Sequence, residues 1–321
     1  MEFEVLMQFL SLTKTSKIGL MEKGANELLN SDDSEDSLLR LEELAEVALS
    51  NEKWVGDADD YHNFAVTYAR LDQEDRACQI LEQGMRAFPN NVDLLSDYIK
   101  YGVVCYEQEK CEKYYRKLSS IPKKRWNWRA YTFSIDYLLS TLEFSEVDEA
   151  GYNRIREEAC DLAIEFQTYF PDNEQGYVSE HDISKAYNDL GNSQLILEKA
   201  LSTLSVAPKC ALRLADILFE RGDYIRTLEC LQRCEVDSIK PQSGIDMGYL
   251  YLLMALSEIA LFLRKSDSKN QEASDQVDVQ AIYRHASAAN DLLKGKTSMR
   301  KNLRELIRMI ELRTGVDYYG N

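Results

Sequence analysis

Proline is scarce in this 321-residue chain, at 5 residues, and glycine is limited to 14. Both residues punctuate the tight turns of sandwiches and barrels, so their scarcity argues against an all-β fold. Histidine occurs only at His62, His181 and His285, and none of the three stands in a nucleophile or metal signature. The seven cysteines (Cys78, Cys105, Cys111, Cys160, Cys210, Cys230, Cys234) form no paired framework. An odd count of this kind predicts reduced thiols and a cytoplasmic location. Positive charge is also in deficit, with 38 Lys and Arg against 55 Asp and Glu, a net charge of −17. Such a field keeps a chain soluble, disfavours contact with DNA or an anionic membrane, and favours basic partners. Long apolar runs are missing too. The longest, Met247 to Leu263, is broken by Ser257 and Glu258 and reads as a buried helix rather than a membrane span. The N-terminal MEFEVLMQFLSLT has acidic flanks, so it does not read as a signal peptide.

What is abundant is apolar and helix-forming. Hydrophobic residues make up 45%, enough for a sizeable core, and Leu, Ala, Glu, Arg and Lys dominate, which predicts an all-α chain. The stretch from Ala58 to Asn91 shows how its helices pair. Tyr61, Phe64, Ala65 and Tyr68 stand at i, i+3, i+4 and i+7 and line one face of a first helix. Ala77 and Gly84 lie on one face of a second, with Leu81 between them, where small residues let two helices approach closely. Pro89 then ends the pair.

This pattern resembles a tetratricopeptide repeat (TPR), a 34-residue helix-turn-helix unit with a large residue at position 4, small ones at 8, 20 and 27, an aromatic at 11 and a proline at 32. Further units are expected along the chain. A second begins at Val92, with Leu95, Tyr98, Ile99 and Gly102 on its first helix and Cys111 at position 20. A third begins near Arg125, with Trp128, Tyr131 and Ile135 at positions 4, 7 and 11. Its second helix comes late and is closed by Ala159, Phe166 and Pro171. A weaker fourth runs from about Tyr177 to Pro208, with Gly191 at its turn. A fifth carries Ala211, Leu214, Ala215 and Leu218, then Gly222-Asp223-Tyr224 at the turn, and ends at Pro241. The resemblance implies a right-handed α-solenoid.

Three regions are expected. Residues 1–57, with most of the 15 acidic and all 5 basic side chains of the first sixty, form N-terminal helices that cap the array or make a degenerate repeat. Residues 58–241 hold the repeats. Residues 242–321 hold a last helix pair, a polar connector at 265–278 and a basic capping helix at 297–313.

Two functional readings follow. By resemblance, the first helices of the units line a concave groove that receives a peptide or helix, of basic character by overall charge. Its lining is then His62, Val66, Arg70, Ser96, Lys100, Arg129, Phe133, Leu212, Asp216 and Phe219. That set lacks the Lys/Asn/Arg pattern with which chaperone-binding relatives hold a carboxylate. The other reading is an accessory or regulatory subunit of a nucleoprotein or enzyme complex. There Lys123, Lys124, Arg125, Trp126 and Arg129 would contact nucleic acid, because cations hold phosphates while rings stack on bases. In this register Trp128 has a place in the core and Trp126 has none. The seven cations from Lys294 to Arg313 form a solvated face or pair with the acidic N-terminal end of another copy. The Gly295-Lys296-Thr297 triplet lacks the upstream glycine of a phosphate loop. Cys230 and Cys234, one turn apart, read as core thiols. No cofactor, metal or catalytic group is expected: the chain reads as a non-enzymatic scaffold or adaptor.

Overall fold

The computed structural model describes residues 42, 45–46, 56–144, 147–234, 239, 245–267, 279–293 and 296–315. Most expectations for residues 1–57, and the connector expected at 265–278 from residue 268 on, lie outside these residues, as do Lys294 and Gly295. Among the described residues there is no strand. The α-helices are α1 (Ala58–Arg70), α2 (Glu74–Ala87), α3 (Val92–Val104), α4 (Gln108–Ser119), α5 (Trp128–Phe144), α6 (Glu149–Tyr169), α7 (Glu174–Ala186), α8 (Leu190–Thr203), α9 (Pro208–Glu220), α10 (Tyr224–Gln232), α11 (Met247–Asp267), α12 (Val279–Leu292) and α13 (Thr297–Thr314), with a 3₁₀ turn at Lys123–Arg125. The fold class is all-α, built from helix-turn-helix repeats, as expected.

Several of the hairpins share the local chemistry of their starts and turns. Asp57 accepts from the amide of Asp60 while the Asp60 carboxylate accepts from the amide of Asp57, a reciprocal cap on α1. Asn91 and Asn127 cap α3 and α5 through the amides of Leu94 and Ala130. Such caps satisfy amides that the helix leaves without partners. At the turn, one residue adopts a left-handed conformation: Asp72 (φ 57°), Tyr106 (φ 59°), Asn188 (φ 58°) and Gly222 (φ 76°). The amide after it returns to the carbonyl five residues back, as Gln73 to Tyr68 at 2.9 Å and Asp223 to Leu218 at 2.9 Å. This closure ends a helix and reverses the chain. Asp72 and Tyr106 stand 34 residues apart, as do Asn188 and Gly222, so the turns themselves mark the repeat.

These turns correct the register of two units. The fourth starts with α7 at Glu174 and runs a full 34-residue period, rather than from Tyr177. Gly191 lies inside α8, and Pro208 opens α9 instead of closing the preceding helix. Proline suits a first helical position because its missing N–H has no helical partner to lose. The third unit is shifted by the 3₁₀ turn at Lys123–Arg125, which adds residues before α5. Tyr131 therefore takes position 4 and is fully buried, whereas Trp128, the first residue of α5, is 40% exposed.

The chain divides into two compact units between Ser179 and Glu180, within α7. In the first, α1, α3 and α5 lie side by side, with α2 against α1 and α3 and α4 against α3. Its core holds Tyr61, Phe64, Tyr68, Leu81, Tyr98, Ile99, Tyr131 and Phe166. Tyr131 stacks on Phe166 at 5.4 Å and meets Trp126 at 5.1 Å. Three of the buried tyrosines send their hydroxyls to carboxylates at the rim: Tyr68 to Glu46 at 2.5 Å, Tyr115 to Glu158 at 2.5 Å, and Tyr98 to Glu107. A large apolar ring is thus buried while its polar tip stays satisfied.

In the second unit, α11, α12 and α13 share a core of Leu252, Ala255, Ile259, Ile282, Tyr283, Ala286, Leu303, Ile307 and Ile310. The first 18 residues of α11 are long and apolar enough to cross a bilayer by length and composition. Here that helix packs on α12, and α12 in turn packs on α13.

Candidate interaction face

The first helices of the first three hairpins bring together residues that are far apart in the chain. His62 on α1 donates from Nδ1 to the carboxylate of Asp97 on α3, a side chain that is 2% exposed. On its other side, Arg129 at the start of α5 donates to His62 Nε2 at 3.1 Å. Arg129 also donates to Asp93 Oδ1 at 2.5 Å, and Asn127 donates to the same oxygen at 2.6 Å. A guanidinium can only donate, so Nε2 must carry the lone pair and Nδ1 the proton. The result is a continuous polar chain, Asp97–His62–Arg129–Asp93–Asn127, across α1, α3 and α5.

Lys100, one turn beyond Asp97 on α3, behaves differently. Its ammonium lies 5.0 Å from the ring of Tyr101 and 5.2 Å from that of Phe133. No described carboxylate stands within ion-pair reach of it. Lys100 is an exposed residue, but partial desolvation beside these rings holds its ammonium below its ordinary range; Asp97 and Asp136 oppose that shift, while Arg129 and Arg70 add to it. Burial, helped by Asp97, pushes the Tyr101 phenol well above its usual range.

Of the residues expected in the groove, the structure gathers His62, Lys100, Arg129 and Phe133 into this cluster. Val66 is partly exposed and Arg70 exposed on α1. Ser96 is withdrawn from any lining: it is fully buried and its hydroxyl donates to the Val92 carbonyl at 2.6 Å. Leu212, Asp216 and Phe219 lie on α9 in the second unit, where Asp216 accepts from the Tyr249 hydroxyl at 2.5 Å. Burial raises the Asp216 carboxyl above its usual range, and the Tyr249 bond opposes that shift. Asp93, Asp97 and Asn127 escaped the sequence reading. Their one signal was spacing, since Asp93 and Asp97 are i and i+4 on the helix that bears Lys100.

Within the basic and aromatic segment, Lys123 and Trp126 are folded inward. Trp126 is 4% exposed, and its indole donates to the Ile121 carbonyl at 3.1 Å. Lys123 lies 3.2 Å above the Trp126 ring, and burial brings its amine down to about 8 against the opposing charges of Glu165 and Glu158. The ring that seemed to lack a structural place is therefore a core side chain, and its neighbour Trp128 faces outward. Lys124 and Arg125 are exposed.

Three other candidate side chains face inward as well. Cys230 and Cys234 are buried, and the Cys234 thiol contacts the Cys230 carbonyl at 3.9 Å. His181, also buried, shares a 2.7 Å bond between its Nδ1 and the Ser193 hydroxyl. Among the described residues, no three His, Cys, Asp or Glu side chains converge as metal ligands would.

No protein-family model matches the chain, and no curated protein matches it in sequence. Solved structures do. A tetratricopeptide repeat protein from Parabacteroides merdae ATCC 43184 aligns over 90% of this chain and 98% of its own, with a TM-score of 0.51 at 14% identity. TTC0263, a thermophilic TPR protein of Thermus thermophilus, covers 64% of this chain and 99% of its own, with a TM-score of 0.48 at 14% identity. Pseudomonas aeruginosa pilF covers 77% and 96% respectively, with a TM-score of 0.48 at 15% identity.

Proposed function

We propose that this chain, which has the tetratricopeptide-repeat fold, is a non-catalytic scaffold that receives a peptide or helix of a partner protein on the face formed by α1, α3 and α5. The observation that carries the reading is the state of the charges there. Asp93 and Asp97 are consumed by Arg129, Asn127 and His62, which makes the floor of the face rigid. Lys100 rests on ring faces with no described carboxylate in ion-pair reach, so it is the group left for an incoming chain. Rigid polar floors with an exposed charge and nearby apolar side chains favour capture of an ordered partner, because little entropy is lost in the receiving surface.

The same geometry speaks against a catalytic role for His62. A general base needs a free ring nitrogen, and both of its nitrogens are engaged. Fold alone does not assign activity.

The test is affinity purification from the native source, with the partner identified by mass spectrometry, followed by Arg70→Glu and Lys100→Glu. Capture is expected to fall at least about tenfold in the double variant, as loss of a charge at an interface does. Undiminished capture by a folded double variant sinks this placement of the site. The nucleic-acid reading has its own arm, a gel shift at low salt compared between the native chain and Lys124→Glu.

A further inference from the structure

We infer that the outer ridge of α13 is a second docking site, for an acidic helical segment of a partner protein. The helix is two-faced. Leu303, Ile307 and Ile310 enter the core shared with α11 and α12. Arg300, Lys301, Arg304 and Arg308 line a trough of about 430 Å³ on another face, together with the single acid Glu305. Arg300 donates to the Asn290 side-chain oxygen at 3.2 Å. None of the four cations has a described carboxylate at ion-pair distance, in a chain whose net charge is −17.

Arg300, Arg304 and Arg308 follow one another at i+4, a spacing at which like charges destabilise a helix. Glu305, three residues before Arg308 and the single acid of the trough, offsets only part of that repulsion, and a row of carboxylates on a partner would offset the rest. The ridge from Arg300 to Arg308 extends about 12 Å, two helical turns, which matches carboxylates at i, i+4 and i+8 on a partner helix. Leu312, one turn further on, is 80% exposed, and Met309 is 44% exposed. A basic row that ends in exposed apolar side chains fits an amphipathic acidic helix better than a phosphate backbone, which has no apolar face to offer. The negative field of the whole chain likewise disfavours nucleic acid and anionic lipid. This site lies in the second unit and is independent of the face proposed above.

The experiment uses the full chain and a fluorescent synthetic helix of about 18 residues, with Glu at i, i+4 and i+8 flanked by Leu, read by anisotropy. A scrambled peptide of the same composition, a single-stranded RNA and phosphatidylserine vesicles are run beside it. Saturable binding of the patterned helix is expected. Arg304→Glu with Arg308→Glu should weaken it at least about tenfold, and Leu312→Ala about threefold, with helical content unchanged. Arg304→Gln with Arg308→Gln serves if the reversal unfolds the chain. The inference is overturned if the scrambled peptide binds equally well, or if the variants bind like the native chain. Tighter binding of RNA or vesicles also overturns it, as does self-association of the native chain that the variants abolish.

Discussion

Arg129 donates a 3.1 Å hydrogen bond to Nε2 of His62 from 67 residues along the chain. That contact fixes the imidazole tautomer, and the other nitrogen then ties α1 to the buried carboxylate of Asp97 on α3. Two hydrogen bonds at one imidazole thus link α1, α3 and α5.

Arg129→Ala should destabilise the first unit by about 1 kcal/mol, the worth of a partly exposed charged network. Arg129→Lys should recover little, since a single ammonium cannot reach both His62 and Asp93 with a planar fork. Urea unfolding followed by the signal of the first unit measures both. A double-mutant cycle with His62→Gln should show coupling, and strict additivity would mean that the network does no work.

Trp126→Ala and Trp128→Ala are chemically the same change with opposite expected outcomes. The first empties a core site against Tyr131 and Lys123 and should cost about 3–5 kcal/mol. The second removes a 40% exposed ring and should stay within about 0.5 kcal/mol. The difference in thermal unfolding midpoint tests the register directly.

Glycine substitutions separate close approach from open space. At Gly84 an added Cβ would lie 2.8 Å from the Tyr61 side chain, whereas at Gly191 nothing lies within 4 Å. Gly84→Ala is expected to destabilise by about 1–3 kcal/mol, outweighing the better helix propensity of alanine. Gly191→Ala should stabilise by about 0.5 kcal/mol. Chemical denaturation of the two variants should move the midpoint in opposite directions.

Acid should weaken the second unit through His181. Burial lowers its pKa; Asp182 and the bond to Ser193 oppose the shift, and Arg213 and Lys185 add to it. The unfolded histidine therefore binds a proton at a pH where the folded one does not. Stability from this residue is complete above about pH 6.5 and declines as pH falls below it, by at most about 1.4 kcal/mol per pH unit. Unfolding free energies measured between neutral pH and about pH 5 should show this slope, and His181→Gln should flatten it.

Thiol reagents should find Cys105 and Cys111 slow. Burial pushes Cys105 up to about 11, and hydrogen bonding to Asp75 adds to it; burial pushes Cys111 up to about 12. Thiolate is the reactive form, so native labelling of these two thiols at neutral pH should lag their labelling in the denatured chain by orders of magnitude.

The helices themselves were legible from apolar spacing, because burial of one face is a local periodic requirement. So was the Gly222-Asp223-Tyr224 turn, where glycine takes the left-handed position and Asp223 caps the next helix. Asp72, Tyr106 and Asn188 perform the same turn without glycine and left no comparable mark. Proline misled as a stop signal at Pro208, where it opens a helix.

The sequence by itself determined that this is an all-α chain of paired helices with a 34-residue repeat, since spacing of large and small residues is enough to dictate which helix faces meet. Tertiary structure decided which tryptophan is buried, because one inserted 3₁₀ turn changes the phase of everything after it. It also decided that His62, Asp97 and Arg129 act together, because their proximity comes from the packing of three helices and not from any distance along the chain.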